Sequence, residues 1–197
     1  VLVTDDVGLT LTNRSLPEDI ILNKVTMIDH DTALIAGEIG TVLRSDDGGK
    51  TWTRLDSGVD KTLFGVRCRD AMRCWAVGID ALILSTEDGG ATWQVVNGST
   101  DLRPLEQVGF GQAFENPSLY SIDTAGDFGV AVGDIGAVFV SQDGGMRWER
   151  LEASKNWALP WFRDVVVREG EGGAIVGARG RRVTIVEGRI ELDAEGD

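Results

Sequence analysis

Three aspartates stand in nearly the same short sequence, which the chain repeats as RSDDGGKTW (44–52), STEDGGATW (85–93) and SQDGGMRW (141–148). Asp47, Asp88 and Asp143 each precede two glycines and lie five residues before a tryptophan. Carboxylates at recurring positions could serve as general acids or bases, or as oxygen ligands of a cation. A calcium loop of the EF-hand type needs oxygen ligands at alternating positions and a glutamate at the twelfth, and none of the three segments supplies them. We therefore expect these aspartates to be structural.

The repeated pattern Ser/Thr-x-Asp-x-Gly-x-Thr-Trp predicts a braced turn. The carboxylate can accept hydrogen bonds from backbone N–H groups across the turn, and the glycine takes a backbone conformation that is costly for other residues. The tryptophan is expected to fold back and pack between neighbouring strands. The residues to which we assign this structural role are Ser45, Asp47, Gly49, Trp52, Thr86, Asp88, Gly90, Trp93, Ser141, Asp143, Gly145 and Trp148.

The turns belong to a longer repeat. Trp52 and Trp93 are 41 residues apart, and the same step backwards reaches Leu11 in TDDVGLTL, which keeps the pattern without tryptophan. Each turn follows two short apolar runs around a glycine-containing tight turn, which is typical of a β-hairpin. These hairpins are LIAGEIGTVLRS, WAVGIDALILST and VAVGDIGAVFVS, with AIVGARGRRVTIV as a later copy, and the segments LFGVRC, LYSIDT and FRDVVV add a further strand upstream.

A unit of four strands in roughly 40 residues is typical of a β-propeller blade. The expected fold class is all-β, a propeller of four-stranded antiparallel blades in which the Asp-Gly-Gly turn joins the third and fourth strands. We expect one propeller domain or propeller fragment over 1–197, with blades at about 20–56, 62–97, 118–152 and 161–192 after a partial blade at 1–12. Closed propellers of such units commonly have about six to eight blades, so this segment is expected to form part of a longer ring.

The composition argues against membrane insertion and against nucleic acid as a partner. The chain carries a formal net charge of −13, and no apolar run approaches the ~20 residues of a transmembrane helix. We therefore expect no membrane insertion of this segment. Nucleic-acid binding needs a basic face that displaces phosphate counterions, so nucleic acid is not an expected partner.

The two cysteines give information about the cellular compartment of the protein. Cys68 and Cys74 lie in CRDAMRC, a spacing that suits opposed positions on the two arms of a hairpin. We predict a disulfide between them, with two ordinary thiols as the alternative. A disulfide would imply an oxidising, extracytoplasmic compartment.

The turn resembles the Asp-box, or BNR repeat, of sialidases, sortilin-type receptors and several secreted glycosidases. The fuller pattern WAVGxxAxILSTxDGGxTW, at residues 75–93, is similar to the photosystem II stability/assembly factor-like family, and the resemblance extends over about residues 20–192. It implies a propeller that assists assembly of a membrane-protein complex. Photosynthetic members use an arginine patch, of which this chain has only the short version RGRR at 179–182. An envelope complex other than the photosystem is therefore equally allowed as the client.

Candidate binding residues fall at the channel end of the expected blades, opposite the Asp-box turns. The loops between second and third strands carry an acidic set (Glu38, Asp80 and Asp134) and a basic set (Arg179, Arg181 and Arg182). The connections between blades add Trp157, Trp161, Arg163 and Arg103. Tryptophan and arginine dominate protein-binding hot spots, so we expect a protein client here. Solvated hairpin tips and tryptophans packed between blades are the alternatives.

Two classes of function follow. The first is a non-enzymatic scaffold, an assembly or accessory factor for a membrane-protein complex, located in the periplasm, outside the cell or in a thylakoid lumen. The alternative is a glycan-binding or sialidase-like glycoside hydrolase. A sialidase needs a tyrosine nucleophile, and the sole tyrosine, Tyr120, lies in an expected first strand. We assign no catalytic, cofactor-binding or metal-binding residue and favour the scaffold.

Overall fold

The computed structural model describes residues 1–14, 19–98, 116–151, 161–170, 172–186 and 189–192. In these residues the backbone forms β-strands, turns and one short 3-10 turn at Ala178–Gly180. No helix in the described part of the chain is long and apolar enough to span a membrane.

Consecutive strands form separate antiparallel sheets. A two-stranded sheet contains β1 (Leu2–Val3) and β2 (Thr12–Asn13). Four-stranded sheets follow, which we call blades 1 to 4. Blade 1 comprises β3 (Leu22–Met27), β4 (Ala33–Gly37), β5 (Val42–Ser45) and β6 (Thr53–Leu55), and blade 2 comprises β7 (Leu63–Cys68), β8 (Cys74–Gly78), β9 (Ile83–Thr86) and β10 (Gln94–Asn97). Blade 3 comprises β11 (Leu119–Ala125), β12 (Phe128–Gly133), β13 (Val138–Ser141) and β14 (Glu149–Arg150), and blade 4 comprises β15 (Phe162–Arg168), β16 (Gly172–Gly177), β17 (Arg182–Val186) and β18 (Arg189–Leu192). The predicted all-β propeller fold with four-stranded antiparallel blades is confirmed.

The hydrophobic cores lie between blades. Alternate residues of a strand point to opposite faces of its sheet, so β8 serves two cores at once. Trp75 and Val77 pack against blade 3, whereas Cys74 and Ala76 pack against blade 1. A third cluster joins blades 3 and 4 in the same way. The second strands are therefore apolar along nearly their whole length, as expected for strands covered on both faces.

Hydrogen bonds brace each Asp-box turn. In the first one the Ser45 hydroxyl donates to the Asp47 carboxylate at 2.8 Å and accepts the Gly49 N–H at 2.8 Å. Thr51 donates both its N–H (2.9 Å) and its hydroxyl (2.6 Å) to the same carboxylate. These donors, with the Thr51 hydroxyl the largest contribution, lower the pKa of Asp47 to about 2. The turns around Asp6 and Asp88 repeat the whole set of bonds.

The turn around Asp143 lacks one of these bonds. Ser141 and the backbone N–H groups of Met146 and Arg147 donate to one carboxylate oxygen. Arg147 stands where the other turns have threonine, so it brings no hydroxyl to the second oxygen. The pKa of Asp143 is lowered, chiefly by the Arg147 N–H.

The two glycines of each Asp-box turn have different contacts. One bonds to a turn of the same blade, and the other packs against the preceding sheet. The first glycine of each pair donates its N–H to the strand 1–2 turn of the same blade, in the bonds Gly48 to Asp31, Gly89 to Met72 and Gly144 to Asp127. The second glycine faces a side chain of the preceding sheet, in the pairs Gly49–Val3, Gly90–Leu55 and Gly145–Trp75. A Cβ at Gly90 would lie 2.7 Å from Leu55, and φ at Gly90 is +94°. Only glycine can occupy position 90 without a steric clash and without backbone strain.

The three Asp-box tryptophans differ in burial. Trp148 is 7% exposed, and its indole N–H donates to the Gly145 carbonyl at 3.0 Å. Trp75 of blade 2 donates to the same carbonyl, also at 3.0 Å. Trp52 and Trp93 are only half-buried, and the Trp93 indole N–H has no hydrogen-bond partner among the described residues. The expected packing between strands is thus most complete at Trp148.

A disulfide closes the strand 1–2 turn of blade 2. Cys68 and Cys74 are directly opposed in β7 and β8, and their sulfurs are bonded at 2.06 Å, as the sequence predicts. Inside this turn, hydrogen bonds led by the Arg73 guanidinium lower the pKa of Asp70 to about 2. Arg69 reaches out of the turn and donates to the Gly126 carbonyl of blade 3 at 2.7 Å. The disulfide therefore supports a turn that joins blades 2 and 3.

Replacing Trp148 with alanine should lower the free energy of unfolding by about 3–5 kcal/mol, because it empties a buried indole site shared by two blades. Trp93→Ala is the matched control and should cost clearly less, since Trp93 is half-buried and its N–H makes no bond in the described structure. Urea denaturation of both variants measures the difference. An equal loss in the two variants would contradict the burial argument.

Arg147→Thr should stabilise the protein in a pH-dependent way, because the hydroxyl of the new threonine can donate to the second carboxylate oxygen of Asp143. A lowered folded-state pKa contributes stability that is complete above the usual value of 3.8 and is lost as pH falls through the folded-state value. The gain in melting temperature should therefore be present at pH 6 and vanish near about pH 2. Thr92→Val, which removes the same hydroxyl from Asp88, should show the opposite change. Gains that do not depend on pH would refute this assignment.

Reduction of the Cys68–Cys74 disulfide should lower the free energy of unfolding by about 2 kcal/mol, the entropic value for so short a loop. Non-reducing mass spectrometry of protein from its native compartment should find no alkylatable thiol at either position. Two alkylatable thiols would remove the argument for an oxidising compartment.

Candidate functional site

A β-bulge lies near the start of the first strand in every blade. In β3, Leu22 pairs with Gly37 and Lys24 with Ala36, so Asn23 has no partner across the ladder. The same break occurs in β7, β11 and β15. A bulge re-aims the side chain of its extra residue. We call the four bulged residues the bulge row: Asn23, Phe64, Tyr120 and Arg163.

A glycine at the end of each second strand makes room for the bulge. The residue before each first strand directs its carbonyl at this glycine, where a Cβ would clash with the carbonyl oxygen. The residue after the glycine donates its N–H to that same carbonyl, as Asp134 does to Ser118 at 3.0 Å. The four glycines are Gly37, Gly78, Gly133 and Gly177. The repeated glycine that precedes each tight turn thus has a steric cause, and it fixes the bulge in place.

Tyr120 of blade 3 contacts a member of the bulge row on each side, Phe64 of blade 2 and Arg163 of blade 4. The rings of Phe64 and Tyr120 lie 5.3 Å apart and are tilted by 55°. The Arg163 guanidinium carbon lies 4.5 Å from the centre of the Tyr120 ring and 5.2 Å from that of Trp161. Trp161 is 49% exposed, and Arg163 is exposed. A row of aromatic and cationic groups therefore meets solvent at the end of the blades opposite the Asp-box turns.

Asp134 adjoins Tyr120 of this row. Its carboxylate accepts the Ser118 N–H at 2.9 Å, and it also interacts with the Tyr120 hydroxyl. Burial raises the pKa of Asp134, and burial together with the Asp134 charge raises the pKa of Tyr120. The positive charge of Arg163 lowers the pKa of both groups and so partly offsets these effects. Asp134, Tyr120 and Arg163 are therefore electrostatically coupled.

The other candidate residues differ in burial and in their partners. Asp80 forms an ion pair with Lys61 at 2.9 Å, and the Lys61 side chain is fully buried. Asp80 therefore has a structural partner, and its place in an acidic set at the channel mouth stays a prediction. Glu38 is half-buried on its hairpin turn. Arg179, Arg181 and Arg182 are exposed at and just after the 3-10 turn of blade 4, while Arg103 and Trp157 lie outside the described residues.

Sequence reasoning placed Trp161 and Arg163 in the site but missed Phe64, Tyr120 and Lys61. A signal existed for two of these. The second residue of each first strand, in LNKV, LFGV, LYSI and FRDV, is the bulged one. Aligning the four segments would have shown two aromatic residues and an arginine at one position. In the part of the chain that the structure describes, no group of three or more His, Cys, Asp or Glu side chains could hold a metal ion.

Comparisons with solved structures show the same fold. A structure described as YCF48 bound to D1 peptide aligns with a TM-score of 0.62 at 21% identity over 90% of this chain and 55% of its own. YCF48 from Cyanidioschyzon merolae aligns with a TM-score of 0.61 at 18% identity over 93% of this chain and 59% of its own. The GH74 enzyme of Niastella koreensis aligns with a TM-score of 0.63 at 13% identity over 87% of this chain and 30% of its own. The chain thus spans just over half the length of the YCF48 structures, and identities this low show the fold alone.

Sequence comparisons give the family. A search of curated proteins finds no match. A model of the BNR/Asp-box repeat matches residues 43–54, which confirms the resemblance of the first turn. The family model described as photosynthesis system II assembly factor YCF48 matches residues 54–170, more than half of the chain. The chain therefore belongs to the photosystem II assembly factor YCF48 family.

Proposed function

We propose that this protein is a non-enzymatic scaffold that binds a protein client during assembly of a membrane-protein complex. The client docks at the channel end, where the bulge row meets solvent. The observation that carries this proposal is the contact of exposed Arg163 with Tyr120 and Trp161. Membership of an assembly-factor family supports it.

The chemistry of the row favours a protein as the ligand. Tryptophan, tyrosine and arginine are the side chains most enriched at hot spots of protein interfaces. All three contribute large contact areas, and the tryptophan N–H and tyrosine O–H can form hydrogen bonds at the edge of an apolar contact. A formal net charge of −13 disfavours nucleic acid, which would have to approach a strongly negative molecule.

The client is proposed to be a segment of a membrane-protein complex that extends into the compartment of the scaffold. A protein of similar fold has been solved with a D1 peptide bound, which supports a peptide as the form of ligand. The short RGRR segment at 179–182 lies in blade 4, as do Trp161 and Arg163. It would add positive charge for an acidic segment of the same client.

The disulfide supports a location outside the cytoplasm. Cytosolic glutathione and thioredoxin keep most thiols reduced, so the Cys68–Cys74 bond indicates a periplasmic, secreted or lumenal protein. A client that is a membrane complex would present its exported loops or termini to that compartment.

A glycan-active propeller is the second candidate, because a GH74 enzyme shares the fold. Glycoside hydrolysis usually needs two carboxylates that flank the scissile bond. At the channel end, however, Asp80 is held by Lys61, and Asp134 is engaged by Ser118 and Tyr120. The scaffold therefore accounts better for the surface that the structure presents.

Photocrosslinking tests the docking face. Benzoylphenylalanine in place of Trp161 should crosslink to a subunit of a membrane-protein complex in native membranes. The same substitution at Met146 is the control, because Met146 is equally exposed (47% against 49%) but lies on an Asp-box turn at the opposite end. Mass spectrometry identifies the crosslinked protein.

Crosslinks of equal yield from both positions, or from Met146 alone, would contradict the docking face. Capture of soluble proteins only would contradict the membrane-complex client. Hydrolysis of a xyloglucan or sialoside substrate by the purified chain would favour the glycan-active candidate instead.

A further inference from the structure

We propose that Arg163 and its aromatic neighbours form a subsite for a carboxylate that has an apolar side chain next to it. The inference rests on the proposed function and assigns the ligand chemistry of the docking face. The carboxylate belongs to the client, either as an acidic side chain or as a chain terminus.

Among the described residues, Arg163 lacks the ion pair that holds several other arginines. Arg67 pairs with Asp123 at 2.9 Å, and Arg44 and Arg73 pair with aspartates close to them in sequence. Arg163 instead lies over two aromatic rings, and no carboxylate among the described residues is within salt-bridge distance of it. Arg69 also lies over an aromatic ring, 5.7 Å from the centre of Trp75, but its guanidinium is already engaged by the Gly126 carbonyl at 2.7 Å. An exposed guanidinium without a carboxylate partner in this part of the chain can take one from a ligand.

Contact with two aromatic rings orients the Arg163 guanidinium for a planar carboxylate. A guanidinium held against aromatic rings keeps its N–H donors in its own plane, where they match the two oxygens of a carboxylate. The rings of Tyr120 and Trp161 also restrict the side chain before binding, which lowers the entropic cost of ordering it. A lysine ammonium has no such planar fork, so the residue type is part of the argument.

Negative charge near Arg163 disfavours ligands that carry two negative charges. Asp134 lies close enough to Arg163 for their charges to affect each other, and the whole chain is strongly acidic. A phosphate dianion would meet more repulsion from these groups than a carboxylate, which carries one charge. The subsite therefore suits carboxylates better than phosphates.

Phe64 of the bulge row and Trp161 beside it supply the apolar contact. Phe64 packs against Tyr120 on the side of blade 2, and Trp161 exposes about half of its surface on the side of blade 4. An apolar side chain next to the bound carboxylate can cover either ring. Burying it adds about 25 cal/mol for each Å² of apolar surface removed from water.

Three synthetic peptides test the subsite. Acetyl-GSGLF with a free carboxyl terminus and amidated acetyl-GSLDFG each offer one carboxylate beside an apolar residue, and amidated acetyl-GSGLF offers none. NMR titration of the labelled protein should show that at least one acidic peptide binds about tenfold or more tightly than the neutral one, as expected for a charge-assisted hydrogen bond. The stronger of the two identifies a side chain or a terminus as the source. Equal binding of all three peptides would overturn the subsite.

Arg163→Gln should abolish the preference for the acidic peptide, and Arg163→Lys should keep only part of it. Arg147→Gln, at an exposed arginine of the opposite end, should leave the preference unchanged. Unchanged thermal unfolding shows that each variant is folded. If Arg163→Gln keeps the preference while position 161 still crosslinks to a membrane complex, the subsite is wrong and the scaffold function stands. If position 161 captures no membrane-complex subunit, the proposed function itself fails.

Discussion

The structure depends on the packing of each blade against the next, because the described core clusters are all shared between two sheets. A four-stranded sheet of this size cannot bury its own apolar faces, so neighbouring sheets must be held in register. The Asp-box turn contributes to this with its second glycine, which faces a side chain of the preceding sheet. Its first glycine holds the turn in place within its own blade, because its N–H bonds to the strand 1–2 turn. The repeated aspartates therefore have a mechanical role, since their carboxylates hold the glycines in position.

This arrangement separates a structural end of the blades from a binding end. At the Asp-box end, backbone groups and carboxylates bond to one another, and a disulfide closes the turn of blade 2. At the channel end, each glycine that closes a second strand admits a bulge, and the bulge presents a side chain to solvent. The residue at that position can vary without loss of a core contact. Asparagine, phenylalanine, tyrosine and arginine occupy it in the four blades.

The features that could be predicted from sequence are those with local causes. The hairpins, the braced turns and the cysteine pair each depend on residues a few positions apart, and a repeated pattern shows them several times. The contact of Phe64, Tyr120 and Arg163 has no such local cause. It depends on the bulge, which shifts the ladder by one residue, and on the distance between adjacent first strands. The Lys61–Asp80 pair was missed for the same reason, because 19 residues separate its partners. The burial of the tryptophans also depends on the preceding blade, which is why Trp148 and Trp93 differ despite similar turns.

The central claim is that the client binds where the bulges are, at the start of the first strands. Hydrogen-exchange mass spectrometry of the chain, alone and in the complex isolated from native membranes, tests this most directly. The account predicts slower exchange on binding in the peptides that contain residues 22–24, 63–65, 119–121 and 162–164, with the largest effect in the last two. Exchange at the Asp-box turns should stay unchanged. Protection confined to the Asp-box turns, with the first strands unaffected, would contradict it.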